Sequence, residues 1–264
     1  MPRYRLTVEY DGRSFAGWQR QDNAPSVQDT IEKAIQAFSG QKVTLFCAGR
    51  TDSGVHALAQ VAHFDLDREW LGEKIQRATN AHLHKFPIVI RAAEEVEPDF
   101  DARFWALERR YLYRLLNRPC PTALDRGRSW HIYKPLDIEA MRAGAAHLIG
   151  FHDFTTFRAS SCQAKDPAKT LDEITIDRER DEIHFRFRSR SFLHRQVRSM
   201  VGSLKQVGEG KFPPEWIADI LAARNRRVCG VVAPSEGLYL SGVRYCNGFD
   251  SGQDLLSQVP FYSE

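Results

Sequence analysis

The sequence predicts an α+β protein in two halves, with mainly antiparallel sheets that face a central cleft. Three observations predict it. An alternating apolar strand opens the chain, and a capped amphipathic helix follows within twenty residues. Two further strand-like runs, a helix and a strand then complete the order β-α-β-β-α-β, that of a ferredoxin-like split unit. The second half repeats this flavour with different letters, and 264 residues suffice for one large or two medium domains.

Each element has its reason. Residues 3–10 (RYRLTVEY) alternate, with Tyr4, Leu6, Val8 and Tyr10 on one face. Ser26 with Asp29 forms a capping-box pattern, and Val27, Ile31, Ala34, Ile35 and Phe38 make a stripe that ends at Gly40. Apolar runs at 43–48 and 59–64 read as strands, 70–82 as a helix, and 87–92 as a strand. In the second half, 109–116 is a strand and 137–149 a helix with Ile138, Met141, Ala145 and Leu148 inward. Residues 171–176 and 182–190 read as paired strands, and 193–207 as a second helix. A short helix follows Pro213 and Pro214, then a last strand at 238–245. The expected organisation is an N-terminal ferredoxin-like domain over 1–104 and a C-terminal α+β domain over 105–246. A loosely held polar tail is expected over 247–264.

Composition narrows the class. Hydrophobic content of 42% and charge of 27% fit an ordinary globular protein. No apolar run nears the ~18 residues of a membrane span, and the start carries no signal-peptide pattern. The five cysteines are scattered and form no C-x-x-C pair, so reduced thiols and a cytoplasmic protein are expected, without a disulfide framework. Net charge is only +3, but 28 arginines stand against 9 lysines. Guanidinium pairs two-pronged with phosphate and stacks on bases, so a nucleic-acid partner is permitted; lineage bias toward arginine explains the count equally well.

The chemistry-bearing residues concentrate in Gly49–Ala57, GRTDSGVHA, between two strand-like runs. Asp52 reads either as a turn aspartate or as a functional carboxylate held in one orientation by flanking strands. Arg50 lies two residues away, on the same side of an extended stretch, where it keeps the carboxylate ionised. That suits a nucleophile or base and does not suit a general acid. Tyr111 and Tyr113 share a strand face, as a buried pair or as a platform for a nucleobase. His184, Arg186, Arg188 and Arg190 alternate with Phe185 and Phe187, giving either a basic stripe for RNA phosphates or a solvated strand face. His194 and Arg198 lie four apart on a helix face; Arg198 suits an ion pair or a phosphate clamp, and Arg195 an exposed cation. Arg158 closes an aromatic-basic cluster, DFTTFRAS. There is no phosphate-loop, dinucleotide or H-E-x-x-H motif.

These residues resemble a known family. GRTDSGVHA is similar to the active-site motif of the tRNA pseudouridine synthase A family. So in order are YDGRSFAGWQRQ, SVQDTIEKA, ERRYLYRLLN, HDFTTFRAS, RSFLHRQVRSMVGSL and SEGLYLSGVRY, across nearly the whole chain. Around the helix at 193–207 the chain departs from the family pattern, with Arg195, Gln196 and Ser199 where histidine, methionine and asparagine are common. The resemblance implies a homodimeric isomerase, without metal, cofactor or membrane, that binds tRNA. It would convert uridine to pseudouridine at about nucleotides 38 to 40 of the anticodon stem-loop, flipping the base out first. By the same resemblance Asp52 is the nucleophile, Arg50 an RNA contact or carboxylate partner, Tyr111 the uracil platform, and Arg198 the basic partner of the aspartate. Arg158, Arg186, Arg188, Arg190, His194 and Arg195 are the further RNA-binding candidates. The rival readings are a non-catalytic RNA-binding protein, whose K/R-G-F/Y-G/A-F-V motif is missing, and an aspartyl hydrolase, which needs a second carboxylate.

Overall fold

β1 (Arg3–Tyr10), α1 (Val27–Ser39), β2 (Phe46–Cys47), β3 (His56–Asp65), α2 (Gly72–Leu83) and β4 (Ile88–Val96) come first in a computed structural model that describes residues 1–253. Next are β5 (Ala106–Asn117), β6 (Trp130–Ile132), α3 (Ile138–Ala146), β7 (Gly150–Asp153), β8 (Ala168–Leu171) and β9 (Glu173–Glu179). β10 (Glu182–Ser189), α4 (Gln196–Gly208), α5 (Trp216–Ala222) and β11 (Leu238–Tyr245) complete the order. The fold is α+β with mostly antiparallel ladders. Two compact units divide it: Met1–Arg109 with the chain from Tyr239 onward, and Arg110–Leu238.

In the first unit β1 lies between β4 and β3, antiparallel to both, and β2 pairs antiparallel with the far end of β3. The order β4-β1-β3-β2 is the split arrangement that the sequence predicts. The near end of β3 takes a different neighbour. β11 joins it in parallel, Tyr239 opposite His56 and Leu240 opposite Ala57. α1 packs against α2, and α2 covers β4. The Ser26 hydroxyl accepts the Asp29 N–H (3.2 Å), and Gly40 closes α1 at φ +75°.

The run 43–48 yields only the two residues of β2, because the neighbouring backbone is drawn elsewhere. Leu45 donates its N–H to the buried Glu32 carboxylate on α1 (2.8 Å), which also takes Gln28 Nε2 (2.9 Å) and pairs with Arg20. β1 is covered on both faces, not one, with Arg5 and Thr7 buried as well. Phe249 lies over the Arg5 guanidinium at 3.3 Å from the ring centroid. The expected loose tail is therefore tied down at its start. Ser251 Oγ donates to the Ala59 carbonyl (2.9 Å), and Tyr245 N–H donates to Phe249 O (2.9 Å). Residues 254–264 of that tail lie outside the described residues.

In the second unit β10 lies between β5 and β9, with Glu182 opposite Glu179 and Arg188 opposite Glu173 in the β9 pairing. β6 runs parallel to the end of β5, and β7 pairs with β8. α3 packs on α4 and β9 around Met141, Met200 and Leu204, all fully buried. α4 begins at Gln196, three residues later than the apolar stripe suggests, because Arg195 stands in the left-handed region at φ +61°. Along α4, Gly202 leaves room for a neighbouring segment: a Cβ there would lie 1.7 Å from the Val231 carbonyl oxygen.

Replacing an ordinary helix glycine by alanine raises stability by about 1 kcal/mol. Gly202→Ala is expected to do the reverse and lower it by about 1–3 kcal/mol, because the clash is with backbone. A urea midpoint at or above the native value would show that the 231–233 segment is not pressed against α4.

Candidate active-site loop and the groups around it

Residues 48–55 join β2 to β3, and their backbone is held from several distant parts of the first unit. Arg109 donates twice to the Ala48 carbonyl, from Nε (3.0 Å) and a terminal nitrogen (2.7 Å). Gln60 Nε2 donates to Gly49 O (2.6 Å), and Trp18 N–H to Thr51 O (3.1 Å). Tyr10 and Thr51 hydroxyls meet at 2.8 Å, and Ser53 Oγ donates to Phe15 O (3.2 Å). The Val55 N–H closes a turn on Asp52 O (3.1 Å), with Gly54 at φ +76°.

Two glycines of the YDGRSFAGWQRQ segment make the approach possible. Gly17, at φ +110°, has no room for a side chain: a Cβ would come 2.7 Å from Thr51 O and 3.1 Å from the Asp52 carbonyl carbon. A Cβ on Gly12 would sit 2.0 Å from Val55 O. Gly12 N–H donates to His56 Nδ1 (3.2 Å), and Asp11 Oδ1 lies 3.3 Å from the same nitrogen. The His56 ring stacks on Tyr239 at 4.6 Å, which fixes the far end of the loop against β11. In this seat Asp52 is half-buried and Arg50 exposed. Tyr10, Asp11, Gly12, Gly17, Gln60 and Arg109 are contributors that motif reading passed over. The signal for them was the YDG and GWQ pairing, whose glycines matter only once the loop they touch is known.

The second unit presents the other candidates. Tyr111 is half-buried and meets Phe192 edge to face at 5.1 Å. Tyr113 differs from it. It is fully buried, its hydroxyl donates to Pro234 O (2.9 Å), and its ring presses on Gly237, where a Cβ would lie 2.6 Å from Cζ. Burial pushes the Tyr113 phenol well above its ordinary range, opposed in part by the nearby Arg198 charge. Of the tyrosine pair, Tyr113 is a packing residue and Tyr111 keeps a partly open ring. Arg198 on α4 is locked reciprocally to Ala233: its Nε donates to Ala233 O (2.8 Å), and Ala233 N–H donates to Arg198 O (3.0 Å).

The alternating stripe on β10 is met by carboxylates of β9. Arg186 pairs with Asp177 (3.3 Å) and Glu179 (2.5 Å), and Arg188 with Glu173 (2.8 Å). His184 is buried between Glu182 (2.7 Å) and Glu179 (3.1 Å). Arg190 and Arg195 are exposed, His194 Nδ1 lies 3.4 Å from Ser161 Oγ, and Arg158 reaches toward Ala164 O at 3.4 Å. Among the described residues no three His, Cys, Asp or Glu side chains are grouped to hold a metal ion, and no helix is long and apolar enough to cross a membrane.

Asp11 offers a test of the clamp that is independent of activity. Burial pushes its carboxyl up, but hydrogen bonds from the Arg13 side chain and backbone outweigh it and hold the group at about 2. A depressed carboxylate contributes stability above its unfolded pKa and loses it as pH falls through the folded value. Asp11→Asn is therefore expected to be less stable than the native chain at pH 7, by on the order of 1 kcal/mol given its partial exposure. The difference should shrink between about pH 4 and pH 2. Equal urea midpoints at pH 7 would sink this linkage.

Comparison with known proteins agrees with the motifs. A family profile described as tRNA pseudouridine synthase matches residues 6–105 and 145–246. The chain is 57% identical over 245 residues to tRNA pseudouridine synthase A of Caulobacter vibrioides (strain NA1000 / CB15N), covering 93% of this chain and 99% of that protein. It is 54% identical over 245 residues to the protein of the same name from Rhodospirillum centenum, covering 93% and 100%. Against that of Sinorhizobium fredii it is 53% identical over 247 residues, again 93% and 100%. With the GRTDSGVHA loop seated as described and both units matched, this chain is an isomerase of the tRNA pseudouridine synthase family.

Proposed function

We propose that the enzyme isomerises uridines at about nucleotides 38 to 40 of the tRNA anticodon stem-loop, with Asp52 as nucleophile and the target base flipped out of the stem. The observation that carries the reading is the seat of the Asp52 loop, whose backbone is tied at Ala48, Gly49, Thr51 and Asp52 carbonyls. A carboxylate that must meet one ribose or one uracil edge works from a fixed backbone, since small misplacements cost large factors in rate.

The reaction breaks the bond from ribose C1′ to uracil N1, turns the base, and forms C1′–C5. The proton on C5 is lost and N1 regains one, so product and substrate have the same formula. Asp52 serves by adding to C1′, by adding to the base, or by abstracting a ribose proton; each route begins with an ionised carboxylate. Flipping costs a few kcal/mol of stacking and pairing. The half-open ring of Tyr111 offsets part of that by stacking on the uracil, and it assists loss of the C5 proton. Arg198, held in place through Ala233, is the basic partner that the reading assigns to the aspartate, with Arg50 as an RNA contact. Arg158, Arg190, His194 and Arg195 are the secondary RNA contacts. Arg186 and Arg188 belong to this set only if RNA displaces their carboxylate partners. Exposed ion pairs of that kind contribute little stability, so the exchange is open to them. The reading also includes a cytoplasmic homodimer, for which sedimentation should give twice the 30.2 kDa chain mass.

Transfer RNA carrying tritium at uridine C5 tests the chemistry directly. Native protein is expected to release the label to water and Asp52→Ala to release none while still binding tRNA; release by Asp52→Ala at the native rate removes the nucleophile assignment. Tyr111→Phe should keep substrate affinity and Tyr111→Ala should lose it, and equal tolerance of both takes Tyr111 out of the site. Gly17→Ala should lower kcat on the order of 10²-fold by displacing the Asp52 backbone, with KM for tRNA changed far less.

A further inference from the structure

A short turn after α5, residues 224–227 (Arg-Asn-Arg-Arg), carries three guanidiniums in four residues, and neither the reaction nor the motifs make use of it. Its construction is specific. Arg224 takes the left-handed conformation at φ +45°, where the end of a helix ordinarily favours glycine. The Asn225 side chain accepts the Arg227 N–H (3.0 Å), which caps a turn of 3-10 helix. The turn is then fastened to the fully buried Thr156, which lies just before Phe157 and Arg158. Thr156 Oγ1 accepts the Asn225 N–H (3.0 Å) and donates to Ile220 O (2.6 Å), while Arg226 reaches the Thr156 carbonyl (3.4 Å).

What surrounds these cations sets them apart from the β10 stripe. Arg186 and Arg188 each meet a carboxylate within 3.3 Å. At the turn, the only carboxylate paired with an arginine among the described residues is Asp153, 3.8 Å from Arg224. Arg158 also acts on that carboxylate, so Asp153 serves two guanidiniums. Arg224 and Arg227 are exposed, and Arg226 is half-buried as the tie to Thr156. Arg224 and Arg158 share one acid, and Arg226 and Arg227 add two more cations to the same exposed turn, which leaves a local excess of positive charge. The backbone strain at Arg224 points the same way: a glycine would fit that conformation better, and strained positions of this kind cluster at ligand clamps.

The turn is also connected mechanically to α4. Cys229 Sγ meets Ser203 Oγ (3.7 Å), Gly230 N–H donates to the same Ser203 oxygen (3.2 Å), and Ala233 exchanges hydrogen bonds with Arg198. Arg227 and Ala233 are six positions apart, a reach of at most about 22 Å, or a few nucleotides of an RNA strand.

We propose that Arg224 and Arg227, with Arg158 beside them and Arg226 as their anchor, form a phosphate-binding platform that grips the tRNA backbone at a point separate from the reacting uridine. The platform rests on the reading of this chain as a tRNA uridine isomerase. It reads charge and strand path and no base, because guanidiniums on phosphate carry no sequence information. Its contribution is to affinity and register, and it falls with salt as counterions compete.

The test uses the full chain and unmodified full-length tRNA labelled at uridine C5, with KM and kcat from tritium release at several KCl concentrations. For Arg224→Ala/Arg227→Ala the expected result is a KM raised roughly tenfold or more at low salt with kcat within twofold, and a log KM against log salt slope reduced by about 1–2. Arg224→Lys/Arg227→Lys should recover part of the KM. Arg224→Gly separates docking from folding: it should melt at or above the native temperature and still raise KM. Unchanged KM and salt slope in the double alanine variant would overturn the platform, as would a fall in kcat at constant KM. Native protein that released no tritium from any tRNA would instead sink the isomerase reading on which the platform rests.

Discussion

Two stretches of backbone in the first unit approach each other more closely than a side chain would permit, and the active-site reading depends on that approach. Gly12 and Gly17 lie against the chain from Thr51 to Val55, where any Cβ would enter the van der Waals radius of a carbonyl. With the stretches in contact, Trp18 and Tyr10 reach Thr51, and Gly12 reaches His56. Each of these is an ordinary hydrogen bond of modest net value. Together they convert a loop, the most mobile class of element, into a surface as well determined as a strand. The carboxylate of Asp52 inherits that precision from a backbone it does nothing to hold.

Much of the fold was legible in periodicity. The β-α-β-β-α-β order, the Ser26 cap, Gly40 as the stop of α1, and the apolar faces of α1, α3 and α4 follow from spacing two or three to four residues apart. What periodicity missed were places where a distant group took a local hydrogen bond. β2 shrank because Glu32, thirteen residues upstream, captured the Leu45 N–H. α4 started late because Arg195 turned left-handed. Arg5 was hidden by Phe249, at the far end of the chain.

The site divides along the same line. Asp52, Arg50, Tyr111 and Arg198 could be named as candidates because their motifs are local. The fate of the β10 stripe was not, since alternation shows which way a cation points and not what stands opposite. Only the register that sets Arg188 against Glu173 and His184 against Asp177 brings the acids of β9 into reach. The packing role of Tyr113 beside the half-open Tyr111 likewise needed Gly237, more than a hundred residues away, to be placed under its ring. Local chemistry is written in neighbouring letters, whereas neutralisation and burial are settled by partners far along the chain.

The first unit is discontinuous, and this has a consequence for how the enzyme comes into being. Its last strand, β11, is supplied after the 129 residues of Arg110–Leu238 have been made, and that strand seats beside His56 at the exit of the Asp52 loop. On a translating ribosome this interval lasts on the order of ten seconds. During it the nascent N-terminal segment lacks the β11 neighbour that β3 has in the finished fold. The loop at Asp52 thus gains its β11 neighbour only after the intervening unit has been made, and a product terminated before residue 238 lacks that strand.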